Sequence, residues 1–259
     1  VSQGCFETLN CGLHVADNPD HVVENRRRIA EAAGFDFAAW TIAEQVHGDR
    51  VAVVGEAERG RGRLGAGDAL PSCDAMVTDA EGVVLTACFA DCVPLFFLDV
   101  EKRVIGIAHA GWKGTTMRIA ERTVETMRRR YGSRPESILA AIGPSIGGCC
   151  YEVDERVLEH VRRLDGWESA IRPAAGDAPE GRRRLDLKEL NRKIMIKAGV
   201  LPQHIESSEW CTSCRTDLFF SHRKEKGTTG RMAGWIGMRK LGGSHDAGVE
   251  RAHRTGRSA

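Results

Sequence analysis

The chain has 259 residues, and its 37 lysines and arginines nearly balance its 36 aspartates and glutamates, so the formal net charge is +1. This balance argues against a nucleic-acid backbone or an anionic membrane as the main partner. With 42% hydrophobic and 28% charged residues, the composition is that of an ordinary globular protein. We expect a cytoplasmic protein, because no run of about 20 apolar residues and no secretion signal is evident.

In chain order, the first predicted element is a helix from Asp20 to Ala33, which Gly34 ends. A short β-branched run at 51–54 and a loop rich in arginine and glycine at 58–71 follow. Four apolar runs separated by Asp or Gly then predict strands that are covered on both faces. These runs are Ala75 to Thr78, Val83 to Cys88, Val93 to Leu98 and Val104 to Ala108.

The second half of the chain adds mostly helices. Apolar spacing predicts a helix from Thr115 to Tyr131, then a strand from Ser137 to Ile142. Asp154 and Asp186 are capping residues that begin two more helices. The alternation of strands and helices predicts one α/β domain over residues 1–241, and the polar, aperiodic residues 242–259 predict a disordered tail.

Nine cysteines are more than packing requires, and their odd number in a long chain indicates a reducing compartment rather than a disulfide scaffold. Three segments place metal-binding side chains at tight turns: Gln45 to Gly48 with His47, Ala90 to Pro94 with Cys92, and Ala108 to Trp112 with His109. One thiolate and two imidazoles suit Zn²⁺ and leave a fourth position open for water or substrate. Their ligating atoms should then lie within about 4 Å of one another. From spacing alone, packed residues remain an equal alternative.

Other motifs compete with this interpretation. The segment Gly143 to Gly147 matches the G-x-S-x-G pattern of serine hydrolases, and Gly60 to Gly65 matches G-x-G-x-x-G but opens no predicted helix. The pair Cys211 and Cys214 forms a lone C-x-x-C, and the nearest histidines, His204 and His222, are too distant in sequence for a zinc knuckle. We therefore expect two free thiols with a packing or pocket-lining role, and one zinc per chain.

In this order, the three metal-binding segments resemble the YfiH/YlmD family, long called multicopper polyphenol oxidoreductase or laccase-domain proteins. The resemblance extends over roughly residues 8–240. Further matching segments are Leu9-Asn10 with Asp17 and Asn25-Arg26, Cys73 to Asp79, Ile142 to Gly147, Tyr151 to Val153, Cys211-Thr212, Phe219 to Arg223 and Thr229 to Met232. Two departures are Lys113, where an Arg is common, and His222, where a Tyr is frequent.

The resemblance implies one zinc ion held by His47, Cys92 and His109. It implies phosphorolysis of purine nucleosides (adenosine, inosine, guanosine and methylthioadenosine) together with adenosine deamination, so that nucleosides and phosphate are the partners. It also implies a single α/β domain with mixed sheets flanked by helices, related to bacterial deamidase toxins of the cysteine-hydrolase type. The oligomeric state does not follow from the sequence.

Each implied reaction requires further residues. Deamination needs a carboxylate that passes a proton to the leaving ammonia, for which Asp91 is the first candidate and Asp74 the second, although either carboxylate could instead only position a ligand. Phosphorolysis needs cationic groups for the phosphate dianion. The candidates for that role are Arg26, Lys113, Arg223 and Arg231.

Three alternatives remain open. Cys92 and His109 could be the nucleophile and base of a metal-free amidohydrolase, or the chain could be a partner protein with a relict site. A copper-dependent polyphenol oxidase is disfavoured because nine histidines without an H-x-H pair are too few for a blue-copper site and a trinuclear cluster. A single copper ion in place of zinc is compatible with the same ligands.

Overall fold

The computed structural model describes residues 1–174, 179 and 181–239, so the predicted tail at 242–259 lies outside the described residues. The strands are β1 (Trp40–Ile42), β2 (Val51–Val53), β3 (Ala75–Thr78), β4 (Val84–Phe89), β5 (Val93–Asp99), β6 (Val104–Ala110), β7 (Ile138–Ile142), β8 (Glu152–Val153), β9 (Ile171–Pro173), β10 (Arg183–Leu185), β11 (Ile205–Ser207) and β12 (Met232–Gly237). The α-helices are α1 (Pro19–Ala32), α2 (Trp112–Thr116), α3 (Ile119–Tyr131), α4 (Glu155–Val161) and α5 (Leu187–Lys197).

The largest sheet has six strands in the order β11-β7-β5-β6-β3-β2. Its inner pairs are antiparallel, whereas β11 and β2 run parallel to their neighbours. A second sheet has the order β1-β4-β12, with β1 parallel and β12 antiparallel to β4. A small antiparallel sheet, β8-β10-β9, completes the set. The predicted α/β domain with mixed sheets is thus confirmed.

Side chains of the six-stranded sheet alternate between two cores, because successive residues of a strand point to opposite faces. On one face, Leu95 and Phe97 of β5 pack with the helical residues of α3 and α5. On the other face, Ile105 and Ile107 of β6 pack with the second sheet through Leu85. Every residue of β6 is consequently buried, as its continuous apolar run predicts.

One predicted element differs in the structure, and several observed strands were not predicted. The helix predicted from Thr115 to Tyr131 is divided, because Arg118 adopts a left-handed φ of 61° between α2 and α3. The apolar spacing of the sequence does not reveal this interruption, because α2 and α3 each retain buried residues. Six strands are not predicted: β1 and β8 to β11 have only two or three residues each, and glycines interrupt the apolar pattern of β12. No helix among the described residues combines the length and apolar character that crossing a membrane requires.

Candidate metal centre

The three predicted ligands meet at one edge of the six-stranded sheet. His109 lies near the end of β6, and Cys92 directly precedes β5, whose first residue Val93 is paired with Ala110 of β6. Because antiparallel neighbours place the end of one strand beside the start of the other, the sheet itself brings Cys92 next to His109. His47 reaches the same point from the loop between β1 and β2.

The geometry of these side chains suits a single ion. Their ligand atoms all lie within 4.8 Å of one another, and Cys92 Sγ is 3.9 Å from His47 Nε2. Tetrahedral Zn²⁺ would separate such a nitrogen and sulfur by about 3.6 Å. His109 is buried, Cys92 is half-buried and His47 is exposed, so an ion would be covered on one side and accessible on the other.

The Asp74 carboxylate connects His109 with the segment that carries His47. The side chain of Asp74 is fully buried, and Oδ1 accepts hydrogen bonds from His109 Nδ1 (2.9 Å) and from the backbone N–H of His47 (3.0 Å). Oδ2 accepts from the backbone N–H groups of Val46 (3.1 Å) and Gly48 (2.7 Å). With Nδ1 donating to Asp74, His109 is left with Nε2 for a metal. One carboxylate thus orients both histidine ligands.

The same contacts determine the charges. Burial by itself would raise the pKa of Asp74, but the hydrogen bonds from His109 and from the Gly48 and Val46 backbone hold that pKa below its ordinary value. Against its burial, His109 and His47 lower the pKa of Cys92 to about 6. Likewise against burial, Cys92 and Asp74 raise the pKa of His109 to about 9. Thiolate is therefore the favoured form of Cys92 here, which is the form that binds metal.

The backbone around the ligands is strained and closely packed. His47 and Asp91 adopt left-handed φ values of 60° and 85°, which non-glycine residues rarely accept outside functional sites. Gly111 follows β6, and a Cβ there would lie 3.0 Å from Cys92 Sγ and 3.2 Å from His47 Cδ2. A side chain at position 111 would therefore press against two of the three ligands.

Asp91 is held by the segment that precedes β12. Its Oδ1 accepts hydrogen bonds from Thr212 Oγ1 (2.6 Å) and Ser221 Oγ (2.8 Å), and its Oδ2 accepts from the Arg223 backbone N–H (2.6 Å). Its carbonyl oxygen accepts from the Ile146 N–H. These contacts hold the Asp91 carboxylate beside Cys92, and its role in proton transfer stays a prediction.

Two of the four candidate phosphate-binding residues, Arg26 and Arg231, are wholly or partly buried. Arg26 is buried, and it donates to the carbonyl oxygens of Cys11, Gly62 and Arg63, so much of its guanidinium has a structural use. Arg231 is half-buried, and Nη1 donates to the carbonyl oxygens of Thr229 and Gly230, the two residues before it. Burial lowers the pKa of the Arg231 guanidinium. This guanidinium is thus a partly desolvated cation.

His14 is a member of this region that the sequence did not reveal. Desolvation and the charges of Arg231 and Arg26, followed by those of His109 and His47, lower the pKa of His14 to about 4. His14 also lies close to Arg231, since a Cβ at Gly12 would be 2.7 Å from Arg231 Cγ and 3.3 Å from His14 Cε1. No motif surrounds it in the sequence, and only the fold brings it to this place.

Arg223 and Lys113 occupy more exposed positions. Arg223 donates from Nη1 to the Glu152 carbonyl oxygen, and its guanidinium lies 4.9 Å from the centre of the Tyr151 ring. Burial, together with the charge of Cys92, raises the pKa of Tyr151 to about 12, which adds a phenol to this side of the site. Lys113 is exposed on α2, with Nζ 5.8 Å from the Trp112 ring.

Two of the competing motifs, the G-x-S-x-G and the G-x-G-x-x-G matches, gain no support. Ser145 is buried, and its Oγ has no hydrogen-bond partner within the described part of the chain, so no base activates it. The residues of the G-x-G-x-x-G match, Gly60 to Gly65, lead only into a three-residue 3₁₀ helix, Ala66–Asp68, and not into an α-helix that could bind a dinucleotide.

Comparison with known proteins places this geometry in a family. The model of the family described as multi-copper polyphenol oxidoreductase laccase matches residues 1–239. A purine nucleoside phosphorylase YlmD from Geobacillus stearothermophilus is 46% identical over 239 residues, which cover 92% of this chain and 86% of that protein. An adenosine deaminase RL5 from an unknown prokaryotic organism is 34% identical over 232 residues, which cover 88% of this chain and 86% of that protein.

A solved structure has the same fold. The hypothetical protein YfiH from Bacillus licheniformis superimposes with a TM-score of 0.89 at 43% sequence identity, covering 92% of this chain and 88% of that one. The predicted resemblance and fold class are therefore confirmed.

Proposed function

This chain belongs to the multi-copper polyphenol oxidoreductase laccase family, and we propose that it is a zinc-dependent purine nucleoside phosphorylase with adenosine deaminase activity. Adenosine, inosine, guanosine and methylthioadenosine are the proposed nucleosides. The observation that carries the proposal is the His47, Cys92 and His109 donor set oriented by Asp74. The relatives' names, which are those of enzymes acting on purine nucleosides, support the same reaction class.

The donor set favours zinc over a multicopper oxidase. Two imidazoles and a thiolate suit a single Zn²⁺ ion with one open position, where the metal supplies Lewis acidity. A trinuclear copper cluster would need many more histidines. Among the described residues, the other group of side chains that could share a metal ion consists of four cysteines and contains no histidine. We therefore propose no laccase activity, although one copper ion could replace zinc.

The two carboxylates take different proposed roles. An ionised carboxylate has about four acceptor positions. Asp74 uses four of them for Val46, His47, Gly48 and His109, which leaves it as a positioning residue. Asp91 accepts three hydrogen bonds at its side chain, so one position remains to carry a proton to the departing ammonia of adenosine. We keep Asp91 as the proposed proton-transfer group.

In phosphorolysis, a phosphate oxygen bonds to the anomeric carbon while the glycosidic bond to the purine breaks. The partly desolvated Arg231 guanidinium supports a phosphate position beside it, because a cation that has lost part of its hydration gains most from a bound anion. Arg223, held near Tyr151, can contact the anion or the sugar from the other side. Arg26 and Lys113 remain weaker candidates, because one is engaged by carbonyls and the other is exposed.

Arg231→Met should raise the KM for phosphate at least tenfold while changing the KM for the nucleoside much less. The methionine keeps most of the apolar stem but removes the desolvated charge, and charge-assisted hydrogen bonds to an anion contribute about 1.5–3 kcal/mol. Steady-state kinetics with either substrate varied would measure the effect. Arg239→Met is the matched control, because Arg239 follows the opposite end of β12 from Arg231 and contacts Ala33 and Phe35. Equal changes in both KM values would contradict the phosphate assignment.

A second candidate function has one observation in its favour. Asp74, His109 and Cys92 are in contact in the order of an acid, a base and a nucleophile, with the lowered pKa that an active thiol requires. A metal-free amidohydrolase would use this triad. It gives no role to His47, whose Nε2 faces the same sulfur at 3.9 Å. The metal interpretation uses all four residues.

The decisive experiment compares chelator-treated protein with protein reloaded with Zn²⁺. With adenosine and phosphate, the loaded protein should release adenine, and without phosphate it should form only inosine, both followed by HPLC. Both activities should vanish on zinc removal and return with zinc. Turnover by the metal-free protein would favour the thiol nucleophile, and no turnover by the loaded protein would refute the proposal.

All nine cysteines are free of disulfide bonds, which suits the reducing cytoplasm that we propose as the location of the protein.

A further inference from the structure

Four cysteines converge at a second place in the fold. Cys149 and Cys150 lie on the turn after β7, and Cys211 and Cys214 form the C-x-x-C turn after β11. Their sulfur atoms all lie within 4.8 Å of one another. Cys214 Sγ is 3.3 Å from Cys150 Sγ and 3.6 Å from Cys149 Sγ. We call these four residues the tetracysteine cluster.

The sulfur spacing matches a single tetrahedral metal ion. Four thiolates at a Zn–S distance of about 2.3 Å lie about 3.8 Å apart, which falls within the observed range. A disulfide explains at most two sulfurs and requires them about 2.05 Å apart. An iron–sulfur cluster distributes its cysteines over several irons, which demands wider spacing than this. Core packing does not explain the convergence either, because Cys149 and Cys214 are exposed.

The backbone at Gly147 leaves room for the sulfur atoms of the cluster and donates a hydrogen bond to one of them. A Cβ at Gly147 would lie 3.1 Å from Cys149 Sγ and 3.3 Å from Cys211 Cβ, so a side chain there would crowd two of the four cysteines. The Gly147 N–H donates to Cys211 Sγ at 3.2 Å, a contact that favours thiolate. The N–H groups of Cys214 and Arg215 donate to the Cys211 carbonyl oxygen and close the C-x-x-C turn.

We propose that the tetracysteine cluster is a structural Zn²⁺ site, separate from the His47, Cys92 and His109 centre. Each thiol gives up its proton as its sulfur binds the ion. Four protein ligands leave no open coordination position, which distinguishes this site from a catalytic one. The proposal revises the expectation of free thiols at Cys211 and Cys214. It does not depend on the proposed function.

A zinc ion in the tetracysteine cluster would connect two loops that also contact each other through hydrogen bonds. It joins the turn after β7 to the segment from Cys211 to Arg223, reinforcing a backbone bridge between Ser145 and Cys211. That segment supplies all three donors to the Asp91 side chain, the neighbour of Cys92. Zinc in the tetracysteine cluster would therefore hold in place the loop that positions Asp91.

Metal analysis of zinc-supplemented protein tests the proposal. We expect two zinc ions per chain in the wild type and one in the double variant Cys149→Ser/Cys214→Ser, whose substitutions are at exposed positions. Cys92→Ser should also retain one zinc. Cys5→Ser, at another exposed free cysteine, is the matched control and should retain two. One zinc in the wild type, unchanged in the double variant, would overturn the proposal.

Two further measurements keep the proposal falsifiable if the double variant fails to fold. In Cys92→Ser, Co²⁺ bound to the remaining site should show the intense sulfur-to-metal charge-transfer absorption of a tetrathiolate. Intact-mass spectrometry without reductant should show all nine cysteines reduced after zinc removal under nitrogen. Absence of the cobalt absorption, or a disulfide between Cys150 and Cys214 in freshly prepared protein, would refute the site.

Discussion

Cys92→Ser should remove one zinc ion per chain and lower kcat/KM for adenosine by about 10³-fold or more. Serine keeps the shape of the side chain, but its hydroxyl is a poor metal ligand at neutral pH, and the Lewis acidity that is lost contributes several kcal/mol to transition-state stabilisation. Two histidines alone, His47 and His109, bind zinc weakly. Elemental analysis and steady-state assays on the same preparation would measure both effects.

The same variant separates the two candidate mechanisms. A serine variant that retains its full zinc content but loses turnover would favour Cys92 as a nucleophile. Cys5→Ser provides the control for cysteine loss in general, since Cys5 is exposed and lies outside both metal-binding groups. We expect it to retain wild-type zinc content and activity.

Asp74→Asn should weaken zinc binding 10- to 100-fold and lower the free energy of unfolding by about 3 kcal/mol. The carboxylate accepts four hydrogen bonds while its side chain is fully buried, and an amide must turn an NH₂ group toward some of those donors. Loss of the partner that orients a ligating histidine typically reduces metal affinity by this factor. Competition with a chromophoric chelator gives the affinity, and urea unfolding gives the stability.

Asp99→Asn is the matched control for Asp74→Asn. Asp99 is also a buried aspartate, but it lies at the far end of β5 and accepts from the Lys102 N–H. The control should lose some stability while its zinc affinity stays unchanged. An Asp74→Asn variant with wild-type zinc affinity would show that the carboxylate does not orient His109 and His47.

Much of the fold followed from the sequence. The apolar runs around β3 to β6 predicted strands covered on both faces, because no charged residue lies within those runs. Asp154 and Asp186 each accept a hydrogen bond from the third residue after them, as capping residues should. Local signals of this kind are read from neighbouring residues, so the sequence displays them directly.

The sequence predicted the three candidate metal ligands but not the residues that support them. The placement of His47, Cys92 and His109 at turns, together with a family resemblance, pointed to a shared site. Asp74 was considered for proton transfer, whereas the structure shows its carboxylate fully engaged by the two histidine segments. Hydrogen-bond partners of a buried carboxylate depend on which loops meet above it, and spacing along the chain does not encode that.

The sequence by itself determined the buried strands β3 to β6, the helix caps and the three candidate metal ligands, since each depends on local periodicity or on side-chain chemistry. Only the tertiary structure decided which distant residues become neighbours. It set His14 near Arg231, and it joined Cys149 and Cys150 to Cys211 and Cys214 across more than 60 residues. The physical reason is that the order of strands in the sheet, with β7 placed between β11 and β5, sets these long-range contacts. That order results from burying both faces of the sheet at once, a requirement on the whole chain that no short segment expresses.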